Sequence, residues 1–243
     1  METNKNFILT DEFKINEKGV KLFRIKCIKD FSEIHLGDLG GFIESYENLS
    51  DSAWVFHEAE VYGNARVYGN AWVFNNAKVS DNAKIYGNAW VHGNARVYGD
   101  ANIYGNAEIY RNAKIYGNAT VFSNPWISGN AEIFGSAIVL GNTRISDYAR
   151  ITGDSRVSGN ARIFDNAEIK SNFDYSCFQS FGRVGRTTIV FREKENKIKI
   201  KCGCFSGSVE EFEKEVEETH GDSKFGREYK AIINVIKIKF DLD

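Results

Sequence analysis

A six-residue unit decides the fold of this chain, and it occurs twice in succession as AEVYGN at residues 59–64 and ARVYGN at residues 65–70. The pattern extends in both directions, so that every sixth residue from Val55 to Ile169 is Val or Ile. A small side chain stands two residues before each of them, and it is Ala everywhere except at Pro125, Thr143 and Ser155. A repeat this short and this regular predicts a solenoid.

The composition of the unit predicts very short strands joined by tight corners. The aliphatic residue has outward-facing neighbours on both sides, as a strand with a single buried residue requires. Gly and Asn, as at Gly63 and Asn64, tolerate positive φ and form a corner with little steric strain. Three such sides close a triangular coil of eighteen residues, and the coils stack about 4.8 Å apart through parallel strand pairing.

The tryptophans test the three-sided coil independently. All four lie in the array, at Trp54, Trp72, Trp90 and Trp126, with intervals of 18, 18 and 36 residues. Because these intervals are multiples of eighteen, we expect the four side chains in a single file on one side of the stack. A six-residue period alone does not require that placement.

The array resembles the hexapeptide-repeat superfamily, whose unit is aliphatic-x-x-x-small-x and whose fold is a left-handed parallel β-helix. The sequence GDLGGFIES at residues 37–45 is also similar to uncharacterised bacterial and phage-type proteins that open such arrays. The resemblance implies a mainly β protein with about 6–7 triangular coils. This chain departs from the superfamily at the residue after the aliphatic, which is most often Tyr, Phe or Ser instead of Gly, Ala or an acidic residue.

The ends of the chain interrupt the repeat and predict covers for the open ends of the stack. We divide the chain into an N-terminal β cap at residues 1–40, the β-helix at 41–172 and a small α+β domain at 173–243. In the cap, residues 7–9 and 21–28 have the composition of strands.

The last domain predicts a hairpin followed by a helix. Residues 187–191 and 198–202 alternate as its strands, and Ser208 with Glu211 forms a capping box at the start of the helix. Val209, Phe212 and Val216 are its apolar stripe, and His220 and Gly221 end it. Residues 229–240 begin like a helix and finish like a strand, so their structure stays open.

Composition excludes several classes of protein. The net charge of −2 argues against a nucleic-acid binder, and no apolar run approaches the roughly 20 residues that span a bilayer. Met1 to Thr10 has no signal-peptide pattern, and four cysteines make no secreted disulfide framework. We therefore expect a cytoplasmic protein, in the host cytoplasm if the chain is viral. The sequence predicts no catalytic residue, metal or cofactor.

The tryptophan side of the coil is the first candidate site. Outward residues on both flanks of its core aliphatics are aromatic over several coils, and a contiguous exposed aromatic strip is typical of an interface. The predicted interface residues are Trp54, Phe56, Trp72, Phe74, Trp90, His92, Tyr110 and Trp126. The competing interpretation is stacking between coils, which we expect for the column Tyr68, Tyr86, Tyr104 and Phe122.

Two further groups are weaker candidates. Four arginines occupy successive outward positions of the late repeats, one on each side of the coil in turn, at Arg144, Arg150, Arg156 and Arg162. They predict a solvated charged face, a dock for the acidic helix or an anion site. A Gly-rich loop and a Cys-x-Cys pair suggest a small-ligand site, with the residues Ser180, Gly182, Arg183, Gly185, Arg186, Thr187, Cys202 and Cys204.

These features favour a non-enzymatic structural or interaction protein, a rigid β-helix that self-associates through the tryptophan side and displays its terminal modules. The phage-type resemblance adds the hypothesis that it binds or sequesters a host component. The first alternative is a trimeric acyltransferase, because the resemblance implies a His base such as His57 or His92. The second is a protein that binds a nucleotide or a sugar. The predicted partner is a second copy of the chain, and a host protein or small ligand is the further candidate.

Overall fold

The computed structural model describes residues 5–242. Its N-terminal part is an antiparallel pair of strands, β1 (Phe7–Ile15) and β2 (Lys21–Cys27). Strand β2 also pairs antiparallel with β3 (Leu39–Ile43), and β3 pairs parallel with the first strand of the stack on the same side. The hairpin thereby covers the open edge at this end of the stack. The strand predictions at residues 7–9 and 21–28 are confirmed.

Short strands, most of them two residues long, follow β3 at intervals of six residues. They are β4 (Trp54–Val55), β5 (Glu60–Val61), β6 (Arg66–Val67), β7 (Trp72–Val73), β8 (Lys78–Val79), β9 (Lys84–Ile85), β10 (Trp90–Val91), β11 (Arg96–Val97), β12 (Asn102–Ile103), β13 (Glu108–Ile109), β14 (Lys114–Ile115), β15 (Thr120–Ser123), β16 (Trp126–Ile127), β17 (Glu132–Ile133), β18 (Ile138–Gly141), β19 (Arg144–Ile145), β20 (Arg150–Ile151), β21 (Arg156–Val157), β22 (Arg162–Ile163) and β23 (Glu168–Ile169).

Every third strand belongs to the same parallel sheet, so the stack has three walls. The Trp wall is the seven-stranded sheet β4-β7-β10-β13-β16-β19-β22. The second wall runs β3-β5-β8-β11-β14-β17-β20-β23, and the third runs β6-β9-β12-β15-β18-β21. Paired residues are eighteen apart, as in Trp72 with Trp90. The predicted coil of eighteen residues is confirmed, and the stack is a parallel β-solenoid of about seven turns.

The interior of the stack consists of the repeated aliphatic residues and the alanines, nearly all fully buried. At the corners, every sixth residue from Asp51 to Asp165 has positive φ, whether it is Gly or another residue such as Arg111. A Cβ added at Gly87 would lie 2.9 Å from the backbone nitrogen of Gly105 in the next coil, which explains the preference for Gly. Only this first corner residue, and not the following Asn, takes positive φ.

The corner asparagines instead form ladders along the outside of the stack. At the corner before the Trp wall, each Nδ2 donates to the Oδ1 of the residue eighteen positions later, along Asn70, Asn88, Asn106, Asn124, Asn142 and Asn160. Aromatic rings stack in the same way on the third wall, with centroids 4.8 to 4.9 Å apart from Tyr68 to Phe122. That stacking prediction is confirmed.

The C-terminal part is a four-stranded antiparallel sheet with two helices. Its elements are β24 (Tyr175–Phe181), β25 (Arg186–Arg192), β26 (Ile198–Cys202), β27 (Phe205–Gly207), α1 (Val209–His220) and α2 (Lys224–Phe240). The predicted hairpin, the capping box of Ser208 with Glu211, and the end of α1 at Gly221 are confirmed.

The segment at residues 229–240, which the sequence left open, is helical throughout. Tyr229, Ile232, Ile233, Ile236 and Phe240 are buried at helical spacing, whereas Ile238 is 79% exposed. The alternation that resembled a strand involved too few residues to outweigh this longer period.

The C-terminal sheet closes the second open end of the stack. One of its faces carries Ile189 and Phe191, which belong to the same buried cluster as the solenoid core. The opposite face carries Val190 and Ile200, which pack with α1 and α2 in a separate core. Within residues 5–242, neither helix is long and apolar enough to cross a membrane.

Candidate functional site

The outward side chains of the Trp wall form one file along the stack. Strand register aligns the file from coil to coil, and its members are Trp54, Trp72, Trp90, Glu108, Trp126, Arg144 and Arg162. The prediction that all four tryptophans share one side is therefore confirmed. A file with this order changes from aromatic to basic along its length.

Trp54 differs from the other three, because the N-terminal cap covers it. Its side chain is 1% exposed, and its ring packs edge-on against Phe31 at 5.6 Å and Phe7 at 6.4 Å between centroids. The prediction that Trp54 is part of an exposed strip is wrong. Nothing in the repeat shows this, because the covering residues belong to the non-repetitive cap.

The remaining tryptophans become more exposed away from the cap. Trp72 is half-buried and stacks on Trp90 with centroids 5.6 Å apart and planes 5° from parallel. Trp90 is 43% exposed and Trp126 is 46% exposed. The guanidinium of Arg144 lies 5.1 Å above the Trp126 ring. The aromatic surface available to a partner is therefore concentrated between Trp72 and Trp126.

A second column of the Trp wall is a stack of half-buried rings. His92 lies between Phe74 and Tyr110, at centroid distances of 4.4 and 5.2 Å. Its Nε2 is 3.0 Å from Oε1 of Glu108. Neighbouring rings therefore cover both faces of the imidazole, and its described polar partner is a carboxylate of the wall itself. Phe56, at the start of this column, packs on Trp72 at 5.3 Å.

The other histidine of the acyltransferase hypothesis lies on a corner. His57 has a φ of 53° and is exposed, and its Nδ1 is 3.4 Å from the backbone nitrogen of Asn75. The repeats around both histidines keep their six-residue length, so no inserted loop shapes a cavity over either ring.

The four arginines of the late coil are divided among the walls. Arg144 and Arg162 are in register on the Trp wall, and Arg156 is exposed on the third wall. Arg150, on the second wall, lies 3.5 Å from Glu132 and 3.9 Å from Glu168, as an ion pair without a hydrogen bond. Across residues 5–242, the other three make no ion pair.

The acidic helix does not dock on these arginines. Helix α1 packs on the far face of the C-terminal sheet, where Glu213 pairs with Lys237 at 2.7 Å and Glu217 with Lys230 at 2.8 Å. Its docking on the arginine belt was one of three interpretations, and the described contacts place the helix elsewhere.

A cleft of about 480 Å³ opens where the Trp wall meets the C-terminal sheet, and we call it the end cleft. The solenoid contributes Ser146, Asp147, Asn160, Arg162 and Phe164, and the sheet contributes Arg186, Thr187, Ile189, Lys201 and Gly203. The cleft thus brings Arg162 together with Arg186 and Thr187, which the sequence assigned to separate candidates. Lys201 and Phe164 were missed, because each looks like an ordinary member of its strand or repeat.

The rest of the predicted ligand loop lies away from the end cleft. Ser180, Gly182, Arg183 and Gly185 are in or beside the turn between β24 and β25 and do not line the cleft. The amide of Gly182 donates to the Glu228 carboxylate at 2.9 Å, so it already holds an anionic group.

The two cysteines of the Cys-x-Cys pair differ in burial, although both line one small cavity of about 70 Å³ with Arg186. Cys202 is buried in the C-terminal core, where it accepts a hydrogen bond from the Thr188 hydroxyl at 3.2 Å, and Cys204 is exposed in the following turn. Burial, and then the hydrogen bond with Cys202, raises the pKa of Tyr229 to about 12. The described residues include no group of three or more His, Cys, Asp or Glu able to hold a metal ion.

Comparison with known proteins supports the repeat. Residues 59–75 match a family model described as a YdcK beta solenoid repeat. The match spans about one coil, so it supports the β-solenoid architecture of the array. None of the curated proteins compared with the chain matches it.

Proposed function

We propose that the protein is a non-enzymatic scaffold, a rigid β-solenoid that self-associates through its Trp wall and displays its terminal modules. The observation that carries the proposal is the exposure of Trp90 and Trp126, at 43% and 46%, on one flat wall. Tryptophans that are exposed in a single chain are often the residues that become buried at the centre of an interface. The partner that this proposal names is a second copy of the chain.

The rigidity of the scaffold comes from contacts that repeat in every coil. Backbone amides bond to carbonyls of the next coil, as from Trp90 to Ala107 at 2.9 Å and from Trp126 to Thr143 at 2.9 Å. Asparagine ladders and stacked rings add further contacts between successive coils. A wall held in this way changes little on binding, which limits the entropy lost on association.

The order of the file suggests how two copies pair. A two-fold axis through Glu108 sets the stacks antiparallel, and it brings Trp90 of one copy opposite Trp126 of the other. The same axis brings Trp72 opposite Arg144, a pairing of ring and guanidinium that is favourable. Such a pairing is isologous and closed, as expected of a homodimer.

A parallel arrangement is less favourable on charge. It would place Arg144 opposite Arg144 and Arg162 opposite Arg162, and like charges in contact disfavour association. In the antiparallel arrangement the one like-charged pair is Glu108 with its own copy on the axis, where His92 lies within hydrogen-bonding distance of each carboxylate. The charges therefore support the antiparallel dimer.

The size of the wall is compatible with this partner. Five coils from Trp72 to Arg144, which an axis through Glu108 relates to one another, at about 4.8 Å each, and a side of about six residues at about 3.3 Å each form a face of roughly 24 by 20 Å. Two such faces bury about 960 Å² in total, which is the size of a weak, reversible interface.

The proposal is tested by the molar mass of the protein in solution, measured by light scattering after size exclusion. We expect the wild-type chain to elute with twice its monomer mass of 27.5 kDa. The double variant Trp90→Ser, Trp126→Ser should elute as a monomer, because it removes both anchors. Tyr148→Ser is the matched control, since Tyr148 is 60% exposed on the corner between the Trp wall and the second wall and lines a hollow with second-wall residues such as Glu132, and it should remain dimeric.

Two outcomes would contradict the proposal. One is a wild-type monomer at every concentration tested. The other is a double variant that keeps the wild-type mass and melting temperature, which would show that the two rings stabilise neither a dimer nor the fold.

A further inference from the structure

The end cleft has a distinct chemistry that the scaffold proposal does not use. Three cationic side chains line it, Arg162 from the last coil of the Trp wall and Arg186 and Lys201 from the C-terminal sheet. Within residues 5–242, none of the three forms an ion pair with an acidic side chain. The cleft holds one carboxylate, that of Asp147.

A cationic side chain next to the cleft, that of Lys199, is paired with carboxylates, in contrast to the three that line the cleft. Lys199, two residues before Lys201 on the same strand, lies 2.8 Å from Asp165 and 3.6 Å from Glu193. The Asp147 carboxylate is engaged locally, because its Oδ2 accepts from the Asp165 amide and the Ser146 hydroxyl, both at 3.2 Å. The cleft therefore has an excess of positive charge.

The positive charge continues from the cleft along the Trp wall. Arg144 is in register with Arg162 and also lacks an ion pair in the described part of the chain. Concave sites lined by one sign of charge concentrate the electric field and raise the local concentration of the opposite ion. The end cleft is thus an electrostatic trap for anions.

The lining also includes apolar and neutral polar groups. Phe164 and Ile189 supply an apolar surface, and Phe164 packs edge-on against buried Phe191 at 5.2 Å, which fixes its ring. Thr187 lines the same cleft. A volume of about 480 Å³ exceeds what a bare phosphate ion fills and lies within the usual range for small-molecule sites.

We propose that the end cleft binds a phosphorylated organic molecule of nucleotide size. Its phosphate oxygens accept hydrogen bonds from the guanidinium groups of Arg162 and Arg186 and from the Lys201 ammonium, since guanidinium matches phosphate in a two-pronged geometry. The organic part lies against Phe164. The dimer face that the axis through Glu108 relates ends at Arg144, one coil before Arg162, so this site can fail or hold independently of the scaffold proposal.

Isothermal titration calorimetry with ADP tests this site, using adenosine and pyrophosphate as comparison probes. ADP should bind at one site per chain, pyrophosphate at least tenfold more weakly, and adenosine without detectable heat. Raising the salt concentration should weaken ADP binding, because the contact is ionic. Arg162→Gln and Lys201→Gln should each weaken it by at least tenfold, and Arg162→Lys should weaken it less than Arg162→Gln.

The matched control is Arg156→Gln. Arg156 lies in the same late coil, is exposed and has no ion pair among the described residues, but it is on the third wall. Its removal should change ADP affinity by less than twofold. Thermal melting of each variant, compared with the wild type, separates loss of binding from loss of fold.

Four results would overturn the inference. The first is an absence of heat when ADP at millimolar concentration is added to the wild type, and the second is a loss of affinity in Arg156→Gln as large as that in Arg162→Gln. Equal affinity for pyrophosphate would remove the role of the apolar surface, and equal affinity for adenosine would remove the role of the phosphates. Binding that persists in Trp90→Ser, Trp126→Ser is expected and separates this site from the dimer surface.

Discussion

Two strands of the Trp wall, β4 and β16, carry the same residue at the same position of the repeat, in opposite environments. Trp54 is buried under Phe31 and Phe7 of the cap, whereas Trp126, four coils later, is 46% exposed beside Arg144. Each tryptophan is the first residue of a two-residue strand and projects outward. The second residue of that strand is the buried aliphatic. The repeat determines where each ring points, and the non-repetitive segments determine what it contacts.

This comparison separates two kinds of stabilisation. A ring covered by the cap contributes to folding, because its burial removes apolar surface from water within one chain. An uncovered ring contributes only when something binds to it. The same tryptophan file can therefore stabilise the fold where the cap covers it and form a surface for association farther along the wall.

The most sensitive way to break the comparison is to remove each ring in turn. Trp54→Ala should destabilise the protein by about 3–5 kcal/mol, because it leaves a cavity between cap and stack. Trp126→Ala should change the free energy of unfolding of the monomer by less than about 0.5 kcal/mol. Denaturant unfolding at a concentration where both variants are monomeric measures the difference. Equal losses in the two variants would contradict the distinction between covered and uncovered rings.

A second prediction concerns the corner before the Trp wall, where the asparagine ladder links successive coils from Asn70 to Asn160. Asn106→Ala removes two rungs, to Asn88 at 3.1 Å and to Asn124 at 2.8 Å. It should destabilise the stack by about 1–2 kcal/mol. Asn118→Ala is the matched control, because Asn118 occupies the same place in its repeat but has no ladder bond among residues 5–242. If both variants lose the same stability, the ladder has no specific role.

A third prediction concerns the part of the Trp wall that the cap does not cover. The hydroxyl of Thr143, buried in the coil of Arg144, has no hydrogen-bond partner in the described structure, whereas that of Ser155 donates to the Thr152 carbonyl at 2.7 Å. Thr143→Val keeps the shape and should stabilise the protein by about 1 kcal/mol. Ser155→Ala should give no such gain. Thermal unfolding of both variants shows whether the buried hydroxyl without a hydrogen-bond partner destabilises the protein and the hydrogen-bonded one does not.

The smallest effect is expected at alkaline pH, in the ring columns beside the Trp wall. Burial, and then the neighbouring Tyr68 and Tyr104, raises the pKa of Tyr86 above the ordinary phenol value. Its contribution to stability is present below the pKa of the unfolded chain, about 10, and is lost as pH rises through the folded pKa. Tyr86→Phe should therefore lose less stability than the wild type between about pH 9 and 11. Identical pH profiles would contradict a role for the stack.

The sequence predicted the solenoid because every coil obeys the same local rule. Aliphatic, small and corner residues recur without insertion, so the period alone fixes the wall on which each side chain lies. The tryptophan file followed from the same arithmetic. The helix α2 was left open because its last residues satisfied a strand pattern and a helix pattern at once, and packing against the C-terminal sheet decided between them.

The candidate sites were less predictable, because they depend on contacts between repetitive and non-repetitive parts. Burial of Trp54 requires Phe31, which lies outside the repeat, and the end cleft requires Lys201 beside Arg162. No spacing in the sequence connects those residues. Arg162 and Arg186 could be identified as candidates from their types, but not as neighbours.

The central claim is that the Trp wall pairs with a second copy about an axis through Glu108, and cross-linking at that residue tests it most directly. In a Cys177→Ser, Cys204→Ser background, Glu108→Cys should cross-link chain to chain with a bismaleimide of about 10 Å span, the separation of two packed sheets. Arg66→Cys, exposed on the third wall, should stay monomeric under the same conditions. Equal cross-linking at both positions, or none at residue 108, would contradict the account.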